Sequence, residues 1–322
     1  MCLRSLVKRI AFDAWLAAGA YRSRLARLRA SERITIVNLH RISPHANPFW
    51  MPLHPRVFDG LVSFLKDHFD LRTILECDLR PSNRPVAVLS FDDGYQDFVE
   101  YAMPVLEKHG VRVNQNVVGS SLETGRPPWE TRLYDFLAAS PLSLLRELRI
   151  PGVQLPAVDG STASKVAYGL SLSRHLKWRS NVERAPVLAM LEEFVARAEP
   201  RYTRMMSIGE VVGAARCHEI GAHSWAHDSM AFEDNDYFRR DLERCQSCFS
   251  RNLGIPAHIY AFPNGSYRTE QLDILRTAGV QKALLVDEGS AQREAFALPR
   301  RTLYADSVAE AIARAVGVGG RP

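Results

Sequence analysis

No stretch of the chain approaches the ~20 uncharged apolar residues that a membrane-spanning helix requires, and Asp13 interrupts the one N-terminal run that might serve as a signal-peptide core. Neither membrane spanning nor export by a standard signal is expected, which places the chain in the cytoplasm. Cysteine is scarce. The five thiols, Cys2, Cys77, Cys217, Cys245 and Cys248, are odd in number and scattered, which fits reduced side chains better than a disulfide framework. Cys245-x-x-Cys248 is the one close pair, and with no second pair to complete a zinc site it reads as plain core or surface thiols. A Gly-rich phosphate loop is also missing, which disfavours a phosphotransferase or nucleotide enzyme. No internal repeat or low-complexity tract is apparent.

What is present is an ordinary globular composition, 46% hydrophobic and 24% charged over 322 residues, enough for one large α/β domain or two smaller ones. The net charge of +5 is unevenly placed. Residues 1–33 carry eight Lys or Arg against Asp13 and Glu32, a balance of +6, so the remainder sums to −1 and nucleic acid is not an expected partner. In the same segment Leu3, Val7, Ile10, Ala14, Ala17, Tyr21, Leu25 and Leu28 recur at steps of three and four, the pattern of a basic amphipathic helix. Such a helix either rests on an anionic membrane surface through residues 1–30, on the inner face of the membrane, or packs on the domain or on a partner.

Short β-branched runs then alternate with helical patterns. "ITIVNL" (34–39), "VAVLSF" (86–91), "VRVNQNVV" (111–118), "EIGAH" (219–223), "HIYAF" (258–262) and "KALLV" (282–286) read as parallel strands with crossover helices between them, a barrel or barrel-like sheet. Residues 126–204 break this rhythm and read as a mostly helical insertion, a cap or side lobe.

In α/β folds the loops after the strand C-termini carry the chemistry. Those positions here hold His40, the pair Asp92-Asp93 in "LSFDDGYQDF", His223 and His227 in "GAHSWAH", and Pro263-Asn264-Gly265. Asp93-Gly94 alone is ordinary turn chemistry, which leaves Asp92 unexplained. Two imidazoles four residues apart together with one carboxylate make a three-ligand site for a divalent ion, with zinc the first choice and cobalt, manganese or nickel also accepted. The second carboxylate is then free to act as a base toward water beside the ion.

The residues "SFDDG", "HSWAH" and "FPNG" occur in the order and approximate spacing of the first three motifs of the polysaccharide deacetylases, the NodB-like members of carbohydrate esterase family 4, which the chain resembles over about residues 34–304. "VNLHRI" and "ALPR" are similar to further landmarks of bacterial members. The resemblance implies a distorted (β/α) barrel of the polysaccharide deacetylase type, spanning 34–322 after the N-terminal helix of 1–33. It also implies a metal-dependent hydrolase that removes an N-acyl group, usually acetyl, from an amino sugar; the expected substrate is a glycan or a lipid-linked or nucleotide-linked glycan precursor. A deformylase on a similar substrate and an inactive glycan-binding protein of the same fold are the alternatives. Position by position, Asp92 matches the base, Asp93, His223 and His227 match the metal ligands, and the backbone N–H of Asn264 falls where an oxyanion donor is placed. Two departures stand out. Ala261 replaces the arginine common two residues before the Pro of the third motif, and no late Leu-x-His supplies a general acid. Arg300 in "LPRR" is the candidate to orient Asp92 in that arginine's place, and His40 the candidate acid, each weighed against a purely structural role.

Overall fold

The computed structural model describes residues 3–77, 82–150, 152–287 and 289–318, with side chains from residue 6 onward. Cys2 lies outside the described residues, as do the side chains of Leu3 and Arg4. All six residues of β1 (Ile34–Leu39) and of β3 (Val86–Phe91) are buried, as expected of strands covered on both faces. The other strands are β2 (Asp70–Leu71), β4 (Asn114–Val117), β5 (Glu219–Ala222), β6 (Ile259–Ala261), β7 (Lys282–Leu284), β8 (Ala297–Leu298) and β9 (Arg301–Thr302). They form one sheet in the order β8-β7-β6-β5-β4-β3-β1-β9, with β2 beside β3, and each of these pairings is parallel. Helices such as Pro55–His68, Ile208–Ala215, Asn235–Leu253 and Thr269–Thr277 make the crossovers.

The two end strands are neighbours in sequence. Only Pro299 and Arg300 separate β8 from β9, three peptide steps or about 10 Å of chain, so the sheet has to curl until its edges nearly meet. The result is the distorted (β/α) barrel expected from the sequence, with Arg300 in the segment that crosses the seam. The strand expected at 111–118 pairs only over Asn114–Val117, where its ladder with β5 begins. At two residues each, β8 and β9 were too short to leave a periodic signal in the sequence.

Polar residues inside these strands line up across the barrel. Asn38 of β1 and Asn114 of β4 both stand in register with Ser90 of β3, giving a row of buried side chains one layer below the strand ends. Gly221 of β5 is required beside this layer, because a Cβ there would lie 2.2 Å from Oδ1 of Asn116.

Between β4 and β5 lie the helices Trp129–Ala139, Leu142–Glu147, Thr162–Lys177 and Asn181–Ala198. They bury their own cluster, including Phe136, Leu137, Leu172, Leu176 and Leu191, separate from the barrel core, and Phe49 from the loop after β1 joins it. The N-terminal segment differs from the single helix expected. Leu3–Ala17 and Tyr21–Ala30 are two helices broken around Gly19, whose φ of +67° ends the first one. Trp15, Leu16, Leu25 and Leu28 pack against the barrel core, and Lys8 forms an ion pair with Glu310 at 2.7 Å.

Candidate metal and catalytic site

The C-terminal ends of the strands open on a cavity of about 330 Å³, at the low end for ligand pockets, lined in part by His40, Asp92, His223, His227 and Asn264. The turns that carry these residues are conformationally unusual. Asp93, Ser224, His227 and Asn264 all have positive φ, at 76°, 58°, 59° and 56°. Positive φ in non-glycine residues costs energy and tends to collect at functional sites. Asp241, on the helix Asn235–Leu253, stabilises one of these turns by accepting from the N–H groups of Trp225 and Ala226 at 2.9 and 3.0 Å.

Asp92 and Asp93 are adjacent and almost fully buried, yet their surroundings differ. Asp92 lies two residues beyond Ser90, on the same side of the strand, and therefore faces the polar row. Arg300 donates Nη1 to its Oδ1 and Nη2 to its Oδ2, each at 2.8 Å, and Asn116 donates Nδ2 to Oδ1 at 2.8 Å. The guanidinium is itself held by Asn38 Oδ1, Ser90 Oγ and the Leu285 carbonyl, each at 3.0 Å. Burial pushes Asp92 toward the neutral acid, but the charge and hydrogen bonds of Arg300, with the neighbouring His223, outweigh it and hold the carboxyl well below its usual range.

Asp93 points the other way. Neither of its buried oxygens accepts a hydrogen bond, while Nε2 of His227 and Nε2 of His223 lie 3.1 and 3.3 Å from Oδ1. His223 directs Nδ1 at the Ala261 carbonyl, 2.8 Å away, which places a proton on Nδ1 and, in the neutral ring that a metal ligand must be, leaves Nε2 with a lone pair. A lone pair and a carboxylate oxygen at this separation repel unless a positive charge sits between them. These three residues are the metal-capable cluster among the described residues, their ligand atoms all within 4.8 Å of one another. The donor set and the orphaned oxygens therefore fit a divalent cation. The same negative charge acts on His227: burial lowers its pKa, but Glu130 and Asp93 more than offset this and raise it.

The other expected site residues are also brought to the cavity. His40 follows β1, with Nε2 4.0 Å from Asp92 Oδ2 and its ring against Trp50, and burial outweighs Asp93 and Asp92 to lower its pKa. The side-chain amide of Asn264 donates to Glu130 Oε1 at 3.0 Å and Ser229 Oγ at 3.2 Å, which anchors that turn. Ala261, where the arginine was expected, contributes only the carbonyl that meets His223. Sequence reasoning missed Asn38, Ser90 and Asn116, although polar residues at the ends of otherwise apolar strands were a readable signal. It also missed Glu130 and Lys177, which come from the insertion and belong to no site-like pattern. The CxxC pair has no part here, since Cys245 and Cys248 are buried core thiols.

The polysaccharide deacetylase family model matches residues 205–283, the segment that contains His223, His227 and Asn264. The fold is shared with solved structures of low sequence identity. The deacetylase PplD of Streptococcus pyogenes, solved with acetate, is 15% identical with a TM-score of 0.57, over 88% of this chain and 98% of its own. IcaB from Ammonifex degensii is 15% identical with a TM-score of 0.55, over 88% and 97%, and the Bacillus cereus polysaccharide deacetylase BC0361 is 13% identical with a TM-score of 0.56, over 88% and 69%. No curated protein matches the chain by sequence. The segment that carries three of the site residues is thus similar to polysaccharide deacetylases, and the fold is the one those solved structures share, in line with the motifs. No helix among the described residues is long and apolar enough to cross a membrane.

Proposed function

We propose that the chain is a metal-dependent amide hydrolase that removes the N-acetyl group from an amino sugar of a glycan or of a lipid-linked or nucleotide-linked glycan precursor. The observation that carries this reading is the split between two adjacent buried carboxylates, one saturated by Arg300 and Asn116 and one turned with two imidazoles toward a shared point. Asp93, His223 and His227 would hold a divalent ion, with zinc first and cobalt, manganese or nickel as alternatives. Such an ion supplies Lewis acidity toward water and toward the acyl carbonyl.

The protein's own groups do the rest. Asp92, fixed by Arg300, takes the proton of the attacking water. The main-chain N–H of Asn264 donates to the oxygen on which negative charge develops. The proton taken by Asp92 is handed on through His40, whose Nε2 lies 4.0 Å from Asp92 Oδ2, to the nitrogen as the C–N bond breaks, giving acetate and a free amino sugar. Metal analysis of the purified chain, with acetate and formate release measured on N-acylated nucleotide sugars and lipid-linked oligosaccharides, tests the reading. A metal-loaded chain that binds glycan but releases neither acid would favour the inactive binding protein, and formate alone would favour the deformylase.

The N-terminal helices favour a lipid-linked substrate. Leu6, Val7 and Ile10 are exposed, at 40%, 59% and 57%, on the same segment as exposed Arg22, Arg27 and Arg29. Apolar side chains beside basic ones suit an anionic lipid surface, where each cation contributes on the order of 1 kcal/mol. Full-length protein is expected to sediment with anionic liposomes at low salt, to release as salt rises, and to lose most binding when residues 1–30 are deleted. Equal retention of both proteins in the supernatant would move a nucleotide-linked substrate ahead.

A further inference from the structure

The insertion reaches the centre of the site. Glu130, on the helix Trp129–Ala139, is 1% exposed, and its Oε2 lies 3.7 Å from Nδ1 of His227. Among the described residues neither of these two buried atoms makes a well-aligned hydrogen bond. The other oxygen of Glu130 accepts from the side chain of Asn264 at 3.0 Å, and Nζ of Lys177, from the helix Thr162–Lys177 of the same insertion, sits 3.2 Å from Oε2. His223 already has an acceptor for its Nδ1 in the Ala261 carbonyl. For Nδ1 of His227 the acceptor at hand among the described residues is Glu130, at 3.7 Å.

We infer that Glu130 is a positioning residue for the metal centre: it receives the Nδ1–H of His227, fixes that imidazole with Nε2 toward the ion, and holds the Asn264 turn on its other oxygen. The inference rests on the proposed ligand set Asp93, His223 and His227. A ligating imidazole normally donates its second N–H to a carboxylate or carbonyl, which sets tautomer and ring orientation and raises the basicity of the ligand. The 3.7 Å separation is longer than a hydrogen bond, and the positioning role requires it to shorten when Nε2 is ligated. Lys177 is the counter-charge of the carboxylate, and burial, which alone would lower its pKa, is outweighed by Glu130 so that the amine stays charged. Further contacts hold the lobe in place. Arg184 and Asp228, each 1% exposed, are paired directly after His227, and Tyr95 shares a 2.7 Å hydrogen bond with Thr131. The lobe is therefore part of the metal site, and its docking orients one ligand.

The test is the affinity for Zn²⁺ of the full-length chain, measured by competition with a chromophoric chelator, in native protein and in Glu130→Gln, Lys177→Met and the double variant. Glu130→Gln should weaken Zn²⁺ binding by about 10–100-fold. Lys177→Met leaves the carboxylate in place and should bind Zn²⁺ at least as tightly as native protein. Should Glu130→Gln fail to fold because its amide faces the ammonium, the double variant removes that clash and should show the same loss. Affinity within twofold of native in the folded Glu130 variants would overturn the positioning role alone. Equal losses in Glu130→Gln and Lys177→Met would reduce the contact to lobe docking and overturn it as well. A native chain that binds no Zn²⁺ would overturn the ligand assignment, and this inference with it.

Discussion

The floor of the barrel and the proposed metal corner meet at a single peptide bond, between Asp92 and Asp93, and solve opposite electrostatic problems. On the floor, a buried carboxylate is matched inside the protein by a bidentate guanidinium and an amide. In the corner, a buried carboxylate is left with bare oxygens facing two imidazoles. A group whose hydrogen-bonding capacity is met is fixed in place and charge. One whose capacity is unmet holds a position for something else. The pairing is informative because both residues are acidic and equally buried, so burial alone does not distinguish them.

The largest expected effects come from breaking one side at a time. His227→Ala removes a ligand from the corner, and its loss of metal affinity should exceed the ~10–100-fold typical of losing an outer partner, with turnover falling alongside. Asp92→Asn should leave metal content unchanged while slowing turnover by roughly 10²–10⁴-fold, the usual worth of a positioned base. Metal analysis and initial rates on both variants check this crossing. Full metal occupancy in the first, or normal turnover in the second, would show that the two carboxylates do not divide the work as described.

Next in size is the floor itself. Arg300→Met strands the Asp92 charge in a buried layer, so the protein should lose about 3–5 kcal/mol of stability, measured by chemical denaturation. Combined with Asp92→Asn the loss should shrink by at least half, because the uncompensated charge is gone. A double variant as unstable as the single one would mean that Arg300 acts mainly through Asn38, Ser90 and Leu285.

The smallest effect concerns a third carboxylate that sharpens the contrast. Asp97 meets Arg41 through Nε alone at 2.8 Å, and burial, only partly offset by that arginine, raises its pKa from 3.8 to about 6. A folded-state pKa above the unfolded one contributes stability that is complete below about pH 4 and is lost as pH rises through about 6. Asp97→Asn should remove that decline, on the order of 3 kcal/mol, from urea-denaturation stability measured between pH 4 and 7. An unchanged slope would show that one guanidinium bond keeps a buried carboxylate ionised as well as the bidentate pair does.

Much of this is legible in the sequence. The apolar runs at 34–39 and 86–91 form strands with those bounds, because six consecutive buried residues leave no other solution in a sheet covered on both faces. The residues of the three motifs arrive at one cavity because strand-end loops of a parallel barrel all open on the same side. The single helix expected at the N-terminus failed where a local feature, Gly19, overruled a periodicity that runs unbroken through it.

The sequence by itself determined the parallel barrel and the set of groups Asp92, Asp93, His223 and His227, since burial pattern and side-chain chemistry are carried by short contiguous segments. The motif resemblance matches Asp92 to the base and Asp93 to the ligands, and leaves Arg300 weighed between orienting Asp92 and a purely structural role. Only the tertiary structure decided that Arg300 reaches Asp92. Arg300 lies 208 residues from Asp92 along the chain and meets it because the curled sheet brings its two edges together at Pro299-Arg300. Glu130 and Lys177 reach the site because a lobe with its own core docks over the loops. Both are long-range closures, and no local pattern of residues encodes the distance across them.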